Sequence, residues 1–316
     1  MKSPKRIIAI EEAFWIPATR EMYKPEAAQW LDRVSKGLLE DVAEGRLRRM
    51  DETGIDVQVL SHVQPGPQGF DRETAFRFAR ESNDWLGEIV KRYPERFFGF
   101  AALPTQDPAA AAEELERTVK NFGFKGALIN GHTQGRYLDE KPFWVIFERA
   151  QALDVPIYIH PAGLPQPVMD AYFKDYPQLS NVAWGWAIDT GTHLLRIICS
   201  GLLDAYPKVK VIVGHMGELI PFHLKRIQRG LRQGAAMKRT VPEYLHDNVF
   251  ITTSGVFEHA SLVCALSTIG IDNILFSVDD PFADNAEAVS FLRTAPLSEN
   301  DREKLAHANA ERILNI

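Results

Sequence analysis

The sequence predicts an α/β fold, a distorted (β/α)8 barrel formed as one domain over residues 1–316. Three observations lead there. Short β-branched runs recur along the chain, longer segments with helical spacing separate them, and polar residues stand where the runs stop. Strands that alternate with helices bury both faces of a parallel sheet, and eight such units close into a barrel. A doubly wound open sheet is the main alternative. It usually carries a glycine-rich phosphate loop after its first strand, and "EEAFWIP" is not one.

The eight strands are expected at 6–11, 56–61, 97–102, 126–130, 155–160, 208–213, 249–253 and 273–278. The clearest helix is "DPAAAAEELERTVKNFGF". Asp107 suits its N-cap, Pro108 its first position and Gly123 its end, and Leu115, Val119 and Phe122 form its apolar stripe. Residues 72–92, 141–152, 191–205, 217–235, 258–269 and 299–314 also read as helices. Residues 161–183, rich in Pro, Tyr and Asn, read as a long loop over the barrel mouth.

At 45% hydrophobic and 25% charged, the 316 residues suit a soluble protein with a large core. A net charge of −6 without a basic run points away from nucleic acid and from anionic membranes. The opening "MKSPKRIIAIEEAF" lacks the apolar core of a signal peptide, and no long uncharged apolar stretch predicts a membrane span, so a cytoplasmic protein is expected. Cys199 and Cys264 lie in helix-like apolar surroundings and read as reduced thiols rather than a disulfide framework.

Strand ends supply the candidate chemistry. Glu11, His160, His215 with Glu218, Asp279 with Asp280, and Asn130 with His132 all fall where a barrel builds its active site. Each has a plainer reading alone. His160 suits a buried packing histidine, Glu11 a solvated strand end, and His215 between Gly214 and Gly217 a tight turn. Asp280 before Pro281 reads as a helix cap. Together, two carboxylates and an imidazole from three strands suit one divalent ion.

These strand ends resemble the amidohydrolase superfamily and, within it, the nonoxidative aromatic acid decarboxylases acting on salicylate, γ-resorcylate and 2,3-dihydroxybenzoate. The matching stretches run from "IAIEEAF" through "FAALPTQDP", "DVPIYIHP", "GHMGELIPF" and "ITTSG" to "ILFSVDDPF". The resemblance implies Glu11, His160 and Asp279 as metal ligands. It implies Asp279, His215 and Glu218 as acid/base residues, and Arg226 as an arginine near the site. Many relatives carry a histidine where Ala13 stands. Its loss leaves an oxygen-rich set that favours Mg²⁺ or Mn²⁺, with Zn²⁺ also compatible. The carboxylated lysine of dinuclear members has no counterpart, because the fourth strand ends in Asn130 with Lys125 before it.

The implied reaction is metal-dependent loss of CO₂ from an ortho-hydroxylated aromatic acid. A lactone or amide hydrolase on the same ligands is the alternative. Phe14, Trp15, Trp184, Trp186 and Phe282 are candidates for the ring pocket, and Asn130, Phe14, Phe282 and Arg226 for substrate contacts. His62 and "QPGPQGF" form the loop after the second strand. His193 and Arg196 share a helix face and read as structural or as a subunit contact. The resemblance also implies a homodimer or homotetramer.

Overall fold

The computed structural model describes residues 4–231 and 236–316. Its strands are β1 (Ile8–Phe14), β2 (Val57–His62), β3 (Phe97–Gly99), β4 (Ala127–Asn130), β5 (Ile157–His160), β6 (Val211–Val213), β7 (Val249–Thr252) and β8 (Ile274–Leu275). All eight expected strands form, and every pairing between them is parallel. Ladders join β1 to β3 and β4 to β8, and a bridge between Ala101 and Ala127 links the two groups. Among the described residues no ladder joins β8 to β1. There the barrel closes through Ala13, whose N–H donates to the Asp280 carbonyl at 2.7 Å. This seam is the distortion of the (β/α)8 barrel.

Two apolar layers follow from the period of two along each strand. Ile8, Val59, Leu128, Tyr158, Ile212 and Phe250 fill the interior, which Ile313 and Leu314 close from below. Ala9, Leu60, Ile129 and Val213 face outward and pack on helix residues such as Leu115, Phe147 and Ile197. β1 breaks this period once. Ala9 pairs with Gln58 and Glu12 with Leu60, so Ile10 and Glu11 together oppose Val59. This is a β-bulge, and it exchanges the faces of every residue after it. Glu11 and Ala13 therefore turn to the interior, while Phe14 joins the outer layer.

Helices begin and end where capping chemistry directs. Asp107 accepts from the Ala110 N–H at the start of Pro108–Phe122, and Gly123 ends that helix at φ 69°. Asp71 caps Arg72–Arg92 in the same way. The 191–205 expectation resolves into Gly185–Cys199 and Leu202–Ala205. The 217–235 expectation contracts to Ile220–Gly230, and residues 232–235 lie outside the described residues. Helices at Pro25–Val34, Glu44–Thr53, Val241–Asn248 and Asn285–Thr294 were not anticipated from the sequence. Within 161–183 only short turns form, at Gln166–Val168, Met169–Phe173 and Pro177–Leu179. Asp280 is not a cap. The following helix starts at Asn285 and is capped by Asp284, whereas Asp280 is buried against Arg46. Both cysteines are free. No helix among the described residues is long and apolar enough to cross a membrane.

His193 is structural. It is fully buried, and its Nε2 accepts from the Leu138 N–H at 3.0 Å, while Arg196 pairs with Asp139. Burial lowers the His193 pKa from 6.5 to about 3, and that of His62 from 6.5 to about 4. The folded protein resists a proton that the unfolded chain takes up below about 6.5, so stability is full above that pH and declines as pH falls below it. We expect His193→Gln, which keeps an acceptor for Leu138, to flatten this acid loss by about 1.4 kcal/mol per pH unit. Denaturant unfolding of both proteins between pH 6.5 and 4 measures the slope. Equal slopes would show that His193 does not carry the effect.

Candidate metal centre and active site

Glu11 organises the barrel mouth. Its carboxylate is 2% exposed, and its two oxygens have different surroundings. Oε2 accepts hydrogen bonds from Tyr158, from Ser254 and, at 3.0 Å, from Thr252. Oε1 is buried with no hydrogen-bond partner. It faces His160 Nε2 at 3.3 Å and His215 Nε2 at 3.5 Å. Gly214 permits this approach, since a Cβ there would lie 2.7 Å from Oε2.

Neighbouring groups orient both imidazoles. His160 Nδ1 is 2.7 Å from the Pro161 carbonyl, which can only accept, so Nδ1 carries the hydrogen and Nε2 is free to ligate. His215 Nδ1 lies 2.8 Å from Glu218 Oε1. The "GHMGE" turn that makes this contact is left-handed at His215, Met216, Gly217 and Glu218. Non-glycine residues pay about 1 kcal/mol each for that conformation, a cost that clusters at functional sites. The tight-turn reading of His215 holds, and that turn aims the imidazole at Glu11. Asp279, also left-handed at φ 77°, places Oδ2 3.8 Å from His215 Nε2.

Burial governs the electrostatics. It pushes the Glu11 carboxyl up to about 8, partly opposed by His215, and it raises Asp279 as well. Burial opposes charge on His215, but Glu11 and Glu218 outweigh it and raise its pKa well above 6.5. His160 is pushed down to about 3 by burial and by His215, and stays neutral. Oε1 without a partner, a neutral histidine aimed at it and acidic groups short of positive charge together fit a divalent cation. Among the described residues, Glu11, His160 and His215 form a ligand cluster whose ligand atoms lie within 4.8 Å of one another. The expected set shares Glu11 and His160 with it. Asp279 stands at its edge, where His215 is the nearer group.

Other expected residues divide. Asn130 and Phe282 line a slot with Glu11, Ala13, His160 and Asp279, and Asn130 Oδ1 is buried without a partner. The slot shares Asp279 with a groove of about 680 Å³ walled by Trp186, Met216, Leu219, Phe222, Val256 and Cys264. Phe14 is not a pocket residue. The bulge turns it outward, where it stacks on Trp85 at 5.6 Å. Trp15 is buried against Tyr23, and Trp184 is half exposed outside the groove. Arg226 does not enter the site either. It is exposed on Ile220–Gly230, in a surface groove with His223 and Leu231. His132 Nδ1 accepts from the Gly135 N–H, away from the cluster, whereas His62, buried against Thr19, borders the slot. Lys125 donates to the Asn315 carbonyl and supplies no second metal bridge.

Sequence reasoning missed the hydroxyl cradle of Tyr158, Thr252 and Ser254, and also Ser61 in the slot. "IYIH", "ITTSG" and "VLSH" place these hydroxyls near strand ends, which was the available signal.

The amidohydrolase family profile matches residues 14–316. The chain is 39% identical to a γ-resorcylate decarboxylase of Polaromonas sp. strain JS666, over 98% of both chains. It is 38% identical to one from Rhizobium radiobacter, also over 98% of both. Among solved structures, a 2,6-dihydroxybenzoate decarboxylase complexed with 2,6-dihydroxybenzoate superposes with a TM-score of 0.90 at 36% identity, covering 100% of both chains. A dihydroxybenzoic acid decarboxylase from Polaromonas sp. JS666, with bound manganese and the inhibitor 2-nitroresorcinol, gives 0.89 at 37% identity over 98% of this chain and 97% of that one. Matched from the end of its first strand to its last residue, and full length against these relatives, the chain belongs to the amidohydrolase family.

Proposed function

We propose that this protein is a metal-dependent carboxy-lyase that converts an ortho-hydroxylated aromatic acid to a phenol and CO₂ without oxidation. The observation that carries the reading is the unpartnered Glu11 Oε1, set among His160, His215 and Asp279 beside an apolar groove. Full-length relatives that are decarboxylases, one of them with bound manganese, support the reaction class and a single divalent ion.

Glu11, His160 and Asp279 are assigned as metal ligands, and Asp279, His215 and Glu218 as the acid/base group. The metal, when bound, supplies positive charge that favours phenolate and fixes the aromatic acid. Phe282 and Asn130 bound the ring, and the Asn130 oxygen is an acceptor for a ring hydroxyl. Protonation at the ring carbon that bears the carboxylate precedes cleavage of its bond to the departing CO₂, and the ring regains aromaticity. Net, one carboxylate and one proton give one phenol and one CO₂. Asp279 Oδ2, 3.8 Å from His215 Nε2, is the group assigned to pass the proton to carbon. His215, oriented by Glu218, replenishes it. Ala13 leaves the first strand with Glu11 as its one ligand in the slot, an oxygen-rich set that suits Mg²⁺ or Mn²⁺.

Exposed apolar residues at Val182, Trp184 and Phe222 support assembly into a homodimer or homotetramer, which sedimentation equilibrium reads directly. Two free cysteines support a reducing, cytoplasmic setting.

Incubation with Mn²⁺ and a panel of ortho-hydroxybenzoates is expected to release phenol and CO₂, and chelation is expected to abolish release. Metal-loaded protein that liberates neither product across the panel would sink the assignment.

Asp279→Asn keeps one oxygen ligand but cannot deliver a proton. We expect partial metal retention and a fall in kcat of about 10²–10⁴. His215→Asn should retain metal and slow the same step, whereas His160→Ala should weaken metal binding itself. Metal content and single-turnover kinetics separate the three. An Asp279→Asn enzyme that turns over at the wild-type rate would place the proton donor elsewhere.

A further inference from the structure

The seam between β8 and β1 carries Asp279 on one side and Glu11 on the other, yet no strand ladder fixes their separation. The residue after each does so instead. The Glu12 side chain, fully buried, accepts from the Val278 N–H at 3.0 Å, the Asp280 N–H at 2.8 Å and Ser277 Oγ at 3.2 Å. A carboxylate of β1 thus takes the donors that a neighbouring strand would otherwise take. Arg46, also fully buried, spans the same gap from the other direction. Its guanidinium lies 3.0 Å from Asp280 Oδ2 and donates to the Ala13 carbonyl at 2.6 Å and to Gln58 Oε1 at 3.1 Å. Neither residue lines the slot or the groove.

We propose that Glu12 and Arg46 are positioning residues: by bridging the open seam they set the distance between Glu11 and Asp279, and so the affinity of the metal centre. The proposal rests on the reading that Glu11 and Asp279 hold the metal. A buried charged network across an edge that has no strand ladder is an expensive way to close a barrel, because isosteric apolar packing is often as stable. Glu12 follows Glu11 and Asp280 follows Asp279, which gives the network a role that packing alone cannot fill. Partners that orient ligands in this way typically change metal affinity by about 10–100-fold when removed.

The test measures Mn²⁺ binding to chelated, refilled protein by the electron paramagnetic resonance signal of the free ion, alongside the thermal midpoint of the metal-free form. Glu12→Gln, Arg46→Lys and the milder Ser277→Ala break the seam contacts to different degrees. Asn309→Ala is the control. It removes two bonds to the Ile271 and Ile274 carbonyls, at the end of β8 away from the mouth. We expect Glu12→Gln and Arg46→Lys to raise the Mn²⁺ Kd by about tenfold or more, and Ser277→Ala to raise it less. Asn309→Ala should lower the midpoint while leaving Kd within about twofold of wild type. Unchanged Kd in the folded seam variants overturns the proposal. So does an equal rise in Asn309→Ala at a matched midpoint, which would mark general loosening. Should Glu12→Gln fail to fold, Arg46→Lys and Ser277→Ala decide. If Glu11→Gln binds Mn²⁺ as tightly as wild type, the metal assignment itself fails, a result distinct from failure at the seam.

Discussion

One extra residue in β1 underlies the rest of the mouth. Ile10 and Glu11 share a single partner across the ladder, and from there the strand shows its other face to the interior. Without the bulge, Glu11 would point into the apolar layer between strands and helices, and Glu12 into the site. With it, Glu11 meets the hydroxyls of Tyr158, Thr252 and Ser254, and Glu12 meets the backbone of the segment that follows β8. Two adjacent carboxylates thereby face opposite ways, one toward the histidines of the mouth and one across the seam.

The hydroxyl cradle determines which oxygen of Glu11 remains available. With Oε2 bound by three donors, the carboxylate cannot rotate without losing them, and Oε1 stays aimed at His160 and His215. Such immobilised ligands suit catalysis by charge already in place, where little reorganisation accompanies the reaction. Burial makes the arrangement costly in the absence of positive charge, which is why Glu11 and Asp279 both hold protons more tightly than usual.

Family membership explains the shared frame, while particular residues account for local differences within it. Ala13 brings no ligating atom to the slot, so Glu11 is the β1 side chain there that could meet a cation. The groove beside it offers apolar walls and the slot the polar end of Asn130, the two meeting at Asp279, a division that suits a hydroxylated ring.

Much of the fold and the site could be read from the sequence. β-branched runs of the right length separated by helical spacing leave few architectures other than a barrel, and Asp107, Pro108 and Gly123 delimit a helix by capping chemistry alone. Glu11, His160, His215, Glu218 and Asp279 could be named because strand ends in such a barrel converge on one mouth. Which face each side chain takes could not be read, because face depends on register, and a bulge is a property of two strands rather than one. Phe14 was misplaced for that reason. Arg226 was misplaced because resemblance locates a residue along a helix but not on this chain's own site. Asp280 read as a helix cap because its pairing with Arg46 joins residues far apart in the chain, a contact that only folding creates. The sequence by itself determined which groups are available and where the strands end. Tertiary structure alone decided which oxygen of Glu11 is free, which carboxylate closes the barrel and which imidazole stands nearest the centre, because those outcomes depend on distances between strands that the chain brings together only when it closes.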